Sequence, residues 1–179
     1  LCAALENNAS VTRLDLNSNR LGDVGAKTIA RALQNNSSIT SIGLASNAIG
    51  LHGFTVLAEV LSKIDTLLHI DLGWNNDVAH DVHQERVPRS HLKLDNGLLP
   101  DDLGIAAQVQ ARCKGSKGFF EGVVTNRRVD KTFDIRFKMP AVHALARALG
   151  SNCSLTNVRL DGNALGTGGA QALATALEQ

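Results

Sequence analysis

Apolar positions along this chain recur in two alternating rhythms. Val11, Leu14, Leu16 and Leu21 have the spacing of a short strand and the turn after it, with Asn19 set between the last two. Ile39, Ile42, Leu44, Asn47 and Ile49 repeat the string 28 residues on, and Leu67, Ile70, Leu72 and Asn75 repeat it 28 further. A fourth copy, Leu155, Val158, Leu160, Asn163 and Leu165, comes late in the chain. Between copies the period lengthens to that of a helix. The positions are Gly25, Ala26, Ile29, Ala30 and Leu33, then Leu57, Ala58 and Leu61, then Leu145, Ala146 and Leu149, then Leu173, Ala174 and Leu177.

A fixed period of this length marks a repeat architecture. In each unit the strand sends alternate side chains inward. The Asn can turn its amide inward and meet backbone groups that the tight turn leaves unpaired. The helix places Ala where it approaches the sheet closely. No unit buries its apolar face alone, so neighbours must stack. The expected fold is α/β: a solenoid with parallel strands on its concave face and helices outside.

The register also locates an interruption. The helix of the third unit should reach its first apolar position at 85, yet the residue that fits is Leu145, so about 60 residues have been inserted. The domains expected are 1–77 and 139–179 for the repeats and 78–138 for the insertion. Within the insertion, 108–114, 119–126 and 132–137 alternate in period two and read as strands separated by Gly-containing turns. Two further short strands, 78–82 and 90–94, precede them.

The repeats resemble the ribonuclease-inhibitor-like class of leucine-rich repeats, also found in NOD-like receptors and in activators of the Ran GTPase. The inserted string Val109-Gln-Ala-Arg112, Phe119-Phe120-Glu-Gly122-Val-Val124 and Phe133-Asp-Ile135 resembles the first half of a Tudor-type, SH3-like barrel. It departs from that pattern in having Lys131 where the turn expects Gly, and in lacking the last two strands after Phe137. The strands at 78–82 and 90–94 would replace them, making a circularly permuted barrel. The alternative is a loop beside a three-stranded sheet.

Composition narrows the function. The net charge is +1, which argues against a dedicated nucleic-acid or membrane binder. Residues 105–138 nevertheless hold eight basic side chains against three acidic ones. Five Phe, one Trp and no Tyr leave Leu, Ala, Ile and Val to do the packing. Three separated cysteines, Cys2, Cys113 and Cys153, suit the reduced thiols of the cytoplasm or nucleus. The chain contains no signal peptide and no apolar run long enough to span a bilayer. It opens inside a helix, at Leu1 and Leu5, and closes one at Leu177. That predicts a longer parent array, or apolar ends that self-associate.

The outward strand positions form columns on the concave face. Arg13, Ser41, His69 and Asn157 make one, Asp15, Gly43, Asp71 and Arg159 the next, and Asn17, Ala45, Gly73 and Asp161 the third. Asp71 and Arg159 should be neighbours and form a surface ion pair. Trp74 takes the place held elsewhere by Ser18, Ser46 and Gly162. It either anchors a partner or, since the insertion begins beside it, packs beneath that segment and is buried. On the insertion, Phe119, Arg127, Arg128 and Lys131 are the candidate surface residues. Phe133, Ile135 and Phe137 share one face and belong to the core. That leaves few aromatics for a methyl-lysine cage. His80, His83 and His91 with Asp77 and Asp81 lack a fixed third ligand and read as a polar loop rather than a metal site. The glycines at 166, 168 and 169 lack the Lys of a phosphate loop. The sequons at Asn8, Asn36 and Asn152 belong to the repeat's own turn.

These features describe a non-catalytic scaffold that binds protein partners through the concave face and the insertion, without cofactor or metal. The family resemblances also imply two rivals, a small-GTPase regulator and a methyl-lysine or methyl-arginine reader.

Overall fold

The computed structural model describes residues 2–75, 82–94, 103–112, 119–137 and 140–178. In chain order the elements are α1 (Cys2–Glu6), β1 (Arg13–Asp15), α2 (Gly22–Asn35), β2 (Ser41–Gly43), α3 (Leu51–Leu61), β3 (His69–Asp71), β4 (Val82–Pro88), β5 (Leu92–Lys93), β6 (Gln108–Arg112), β7 (Phe119–Arg127), β8 (Thr132–Phe137), α4 (Pro140–Ser151), β9 (Asn157–Arg159) and α5 (Gly166–Leu177). The chain divides into two compact units: Leu1–Ala79 with Ala141–Gln179, and His80–Pro140.

In the first unit β1, β2, β3 and β9 lie side by side in that order, all parallel. Leu14, Ile42, Ile70 and Val158 are register partners, so the 28-residue period is the strand-to-strand step. Between β3 and β9 the step is 88 residues and the pairing is unchanged. Ile42, Leu44, Ile70 and Leu72 are buried on one side of the sheet, together with Ala26, Ile29, Leu57, Ala58, Leu145 and Ala146 from the helices. Burying such side chains is what stabilises the stack, at about 1.5–3 kcal/mol for each large one.

Asparagines tie one repeat to the next. Asn47 Oδ1 accepts the backbone N–H of Asn19 at 2.8 Å, while its Nδ2 donates to the carbonyls of Leu16 and Ala45. Asn75 does the same one repeat later, accepting from Asn47 and Ile49 and donating to Leu44, Leu72 and Gly73. Asn163 then accepts from Asn75. A second set, Asn36 and Asn152, donates from Nδ2 to carbonyls of the preceding unit, Leu5 and Asn8 in one case and Leu61 and Ile64 in the other. These two sequon amides are thus committed to backbone groups inside the stack.

The turn after each strand passes through the left-handed region at the same place: Ser18, Ser46, Trp74 and Gly162 have φ of 61°, 55°, 54° and 71°. A bulky residue is out of place there, because a Cβ crowds the following carbonyl. Trp74 is the exception among its equivalents. The last helix differs from the periodic expectation: within α5 only Gly169 is buried, and Leu177 is 68% exposed. Leu173 is half-buried and Ala174 exposed.

The second unit is one antiparallel sheet in the order β4-β8-β7-β6-β5. Val87, Leu92, Val109, Ala111, Val124, Phe133, Ile135 and Phe137 form its core. Gly122 is needed where β7 crosses β8, because a Cβ there would lie 2.6 Å from Ile135 Cγ2. The strand expected at 78–82 meets the sheet differently. Residues 78–81 lie outside the described residues, and β4 runs on through His83–Pro88, beyond the bound expected at 82. The pairing of β4 with β8 slips between Gln84 and Val87, with Arg86 at φ 54°. Such a bulge breaks the period-two alternation by which a strand is recognised. Pro88 is tolerated because β4 is an edge strand.

Candidate functional site

On the open face of the parallel sheet, side chains of all four strands converge. The face holds a shallow groove of about 320 Å3 lined by Arg13, Asp15, Asn17, Ser41, Gly43, His69, Asp71, Asn157 and Arg159. The register sets the columns: Arg13, Ser41, His69 and Asn157 are consecutive partners, and so are Asp15, Gly43, Asp71 and Arg159. Two positions in the columns are glycines. A Cβ on Gly43 would lie 2.8 Å from Asn17 Oδ1, and one on Gly73 would lie 3.0 Å from Asp161 Oδ1. Each glycine therefore makes room for a polar side chain of the neighbouring repeat, a role that the spacing of the repeat does not reveal.

Several face residues are already bonded to the fold. Asn17 Oδ1 accepts the Ala45 N–H at 2.7 Å, and Asp15 Oδ1 accepts the Asn17 N–H at 2.9 Å. Asp71 Oδ1 caps the Gly73 N–H in the same way. Arg159 reaches Asp71 at 3.6 Å and Asp161 at 3.3 Å, with its side chain 61% exposed. At that exposure the pairs contribute about 0–1 kcal/mol. His69 Nδ1 lies 3.5 Å from the Thr156 hydroxyl.

Trp74 is 61% exposed, not buried. Its indole N–H donates to Asp161 Oδ2 at 2.8 Å. Its ring covers the side of Gly162 on which a Cβ would stand, 2.4 Å from Trp74 Cδ2. The spacing of the repeats places Asp161 and Gly162 opposite Trp74, but only the open position of Gly162 lets the ring lie there.

A family model described as leucine rich repeat matches residues 7–30 and 151–174. These windows hold the first and the last of the four strands. The chain carries leucine-rich repeats at these two places. No curated protein matches its sequence. Among solved structures it is similar to that of leiomodin-1 actin-binding site 2, with a TM-score of 0.56 and 18% identity, over 99% of this chain and 68% of that one. That likeness concerns the fold.

The second unit assigns its candidate residues to different tasks. Arg128 is not a free surface cation. Its Nε and Nη2 hold the two oxygens of Asp134 at 2.7 and 2.9 Å, and Nη2 also meets Glu85 at 2.9 Å. Asp134 additionally accepts the Arg86 N–H and the Asn126 amide. The Arg128 guanidinium holds the Asp134 carboxyl down to about 2, with burial opposing and the Arg86 and Asn126 donors assisting. The same contact raises the pKa of Arg128 above its ordinary value. Both strands flanking Asp134 bulge beside it.

Lys131 has φ 63°, in the turn where the resemblance expected Gly. Arg127 is exposed. Phe119 has Lys93 Nζ 4.5 Å and Arg112 Cζ 4.9 Å from its ring centre, so cations of the chain itself already approach it. Phe133 and Phe137 are buried and take no part in a surface cage. Among the described residues, no group of three potential metal ligands comes together, and no helix is long and apolar enough to cross a membrane. Asp77, His80 and Asp81 of the polar loop lie outside the described residues.

Proposed function

We propose that the chain is a non-catalytic scaffold for protein partners, built as a ribonuclease-inhibitor-like solenoid with an inserted, circularly permuted Tudor/SH3-like module. Partners bind its concave face and the inserted module. The observation that carries this reading is the parallel sheet with its outward columns of exposed polar side chains at fixed register. A rigid surface of this kind gains affinity from contact area and needs no reacting group. What supports the barrel reading is the sheet order, in which β4 pairs with β8 and β5 with β6. A 3-10 turn at Arg89–His91 joins β4 to β5. The similar leiomodin-1 segment is by name an actin-binding site, which makes actin the first partner to test.

The test compares wild type with two triple variants in actin co-sedimentation and in affinity capture from cells. One variant, Arg13→Ala with His69→Ala and Asn157→Ala, alters the sheet face. The other, Lys27→Ala with Thr28→Ala and Arg31→Ala, alters the exposed side of α2. The reading expects captured partners to be lost with the first and kept with the second. Equal losses, or none with the first, would overturn it.

A further inference from the structure

We propose that Trp74 and Asp161 together form a docking point for an arginine side chain of a protein partner. This rests on the scaffold reading and adds the chemistry that the face selects. The first observation is conformational. Trp74 occupies a left-handed backbone position at φ 54° that its equivalents fill with Ser18, Ser46 and Gly162. A large β-carbon-bearing residue is strained there, and such strain persists where the surroundings hold it in place. The indole is nevertheless 61% exposed, so burial does not explain its presence.

The second observation is positional. The bond from the indole N–H to Asp161 and the flat contact over Gly162 fix the ring. The indole lies over Gly162, and the residue as a whole remains 61% exposed. A partner meeting this ring has little side-chain freedom to freeze. Tryptophan is the best aromatic face for a cation, and a planar guanidinium stacks on it more readily than an ammonium.

The third observation is charge. Beside the ring, two carboxylates, Asp71 and Asp161, share one cation, Arg159. Arg159 lies 3.3 Å from Asp161 and 3.6 Å from Asp71, largely exposed, so the cluster keeps an excess of negative charge. Asp161 is 44% exposed and can receive a second guanidinium beside the ring. A basic residue fits this cluster better than an acidic or apolar one.

The chain has one Trp and no Tyr, so its fluorescence reports on this ring alone. The probe is a short blocked peptide carrying two arginines, with its glutamate counterpart as control. Wild type should show a saturable change in emission with the arginine peptide and none with the control. Asp161→Asn keeps a carbonyl acceptor for the indole but removes the charge, and should weaken binding about fivefold. In calorimetry Trp74→Ser, which installs the residue of the neighbouring repeats, should abolish the heat of binding while leaving the unfolding curve cooperative. An unchanged wild-type emission, an equal response to the glutamate peptide, or full affinity in Asp161→Asn would overturn the docking point. A cellular partner lost with the sheet-face triple variant but kept by Trp74→Ser and Asp161→Asn would overturn it too, while leaving the scaffold reading in place.

Discussion

The indole of Trp74 occupies the space beside Gly162 that any other residue would fill with a Cβ. The two come from different repeats and hold the same position in each, one repeat apart in the stack. Gly162→Ala would put its methyl carbon 2.4 Å from Trp74 Cδ2, and at a backbone φ of 71°. The ring must swing away and release its bond to Asp161. The expected result is a red shift of the tryptophan emission and a loss of about 1–2 kcal/mol in urea unfolding. Unshifted emission would show that the ring had never depended on that gap.

Asparagines of the same repeat position should differ sharply in what they contribute. Asn75 is fully buried and serves five backbone groups across two repeats. Asn75→Ala leaves those groups unpaired where water does not reach, and should cost about 3 kcal/mol or more. Asn19 is exposed and donates only to Leu16 and Asn17 of its own turn. Asn19→Ala should cost about 1 kcal/mol. Chemical denaturation of both variants gives the comparison, and equal losses would contradict the ladder of amides between repeats.

Lys131 adopts φ 63° in an exposed turn. Lys131→Gly removes the Cβ clash there at some cost in chain entropy, and should raise stability by up to about 1 kcal/mol. Hydrogen exchange of the β7 and β8 amides would detect the slower local opening. Faster exchange would place the turn outside the stability-limiting region.

Asp134 couples the inserted unit to pH. Its folded pKa, about 2, lies below the ordinary carboxylate value, so folding stabilises the ionised form. That contribution is complete above an unfolded pKa of about 4 and disappears as pH falls through the folded pKa of about 2. Its size is on the order of 1–2 kcal/mol, since the pair lies near the surface of a small unit. The Phe133 and Phe137 ring signals in NMR should broaden between about pH 4 and pH 2, in the window set by those two values. Asp134→Asn should lower stability at neutral pH and flatten the acid dependence. An unaltered acid profile in that variant would show that other carboxylates control the transition.

What could be read beforehand follows from the kind of information each feature uses. The repeat strands and their parallel neighbours were legible because a 28-residue period puts Leu14, Ile42 and Ile70 in register on the same side of the sheet. The adjacency of Asp71 and Arg159 follows from the same register. In the inserted unit, β6, β7 and β8 were legible in the alternation of Val109 with Ala111 and of Phe133 with Ile135 and Phe137. The extent of β4 was not, because the bulge at Arg86 removes the alternation. The role of Arg128 was also hidden, since a cation in a basic run looks solvated until Asp134 is placed against it.

The sequence by itself determined the repeat and its register, because periodicity is a property of the chain. Only the tertiary structure decided which polar groups are occupied and which are open. Asn17 and Arg128 turned out to be held by the fold, whereas Trp74 stands in solvent. The reason is geometric: hydrogen bonds and exposure depend on atoms tens of residues apart, and a one-dimensional pattern carries no distance between them.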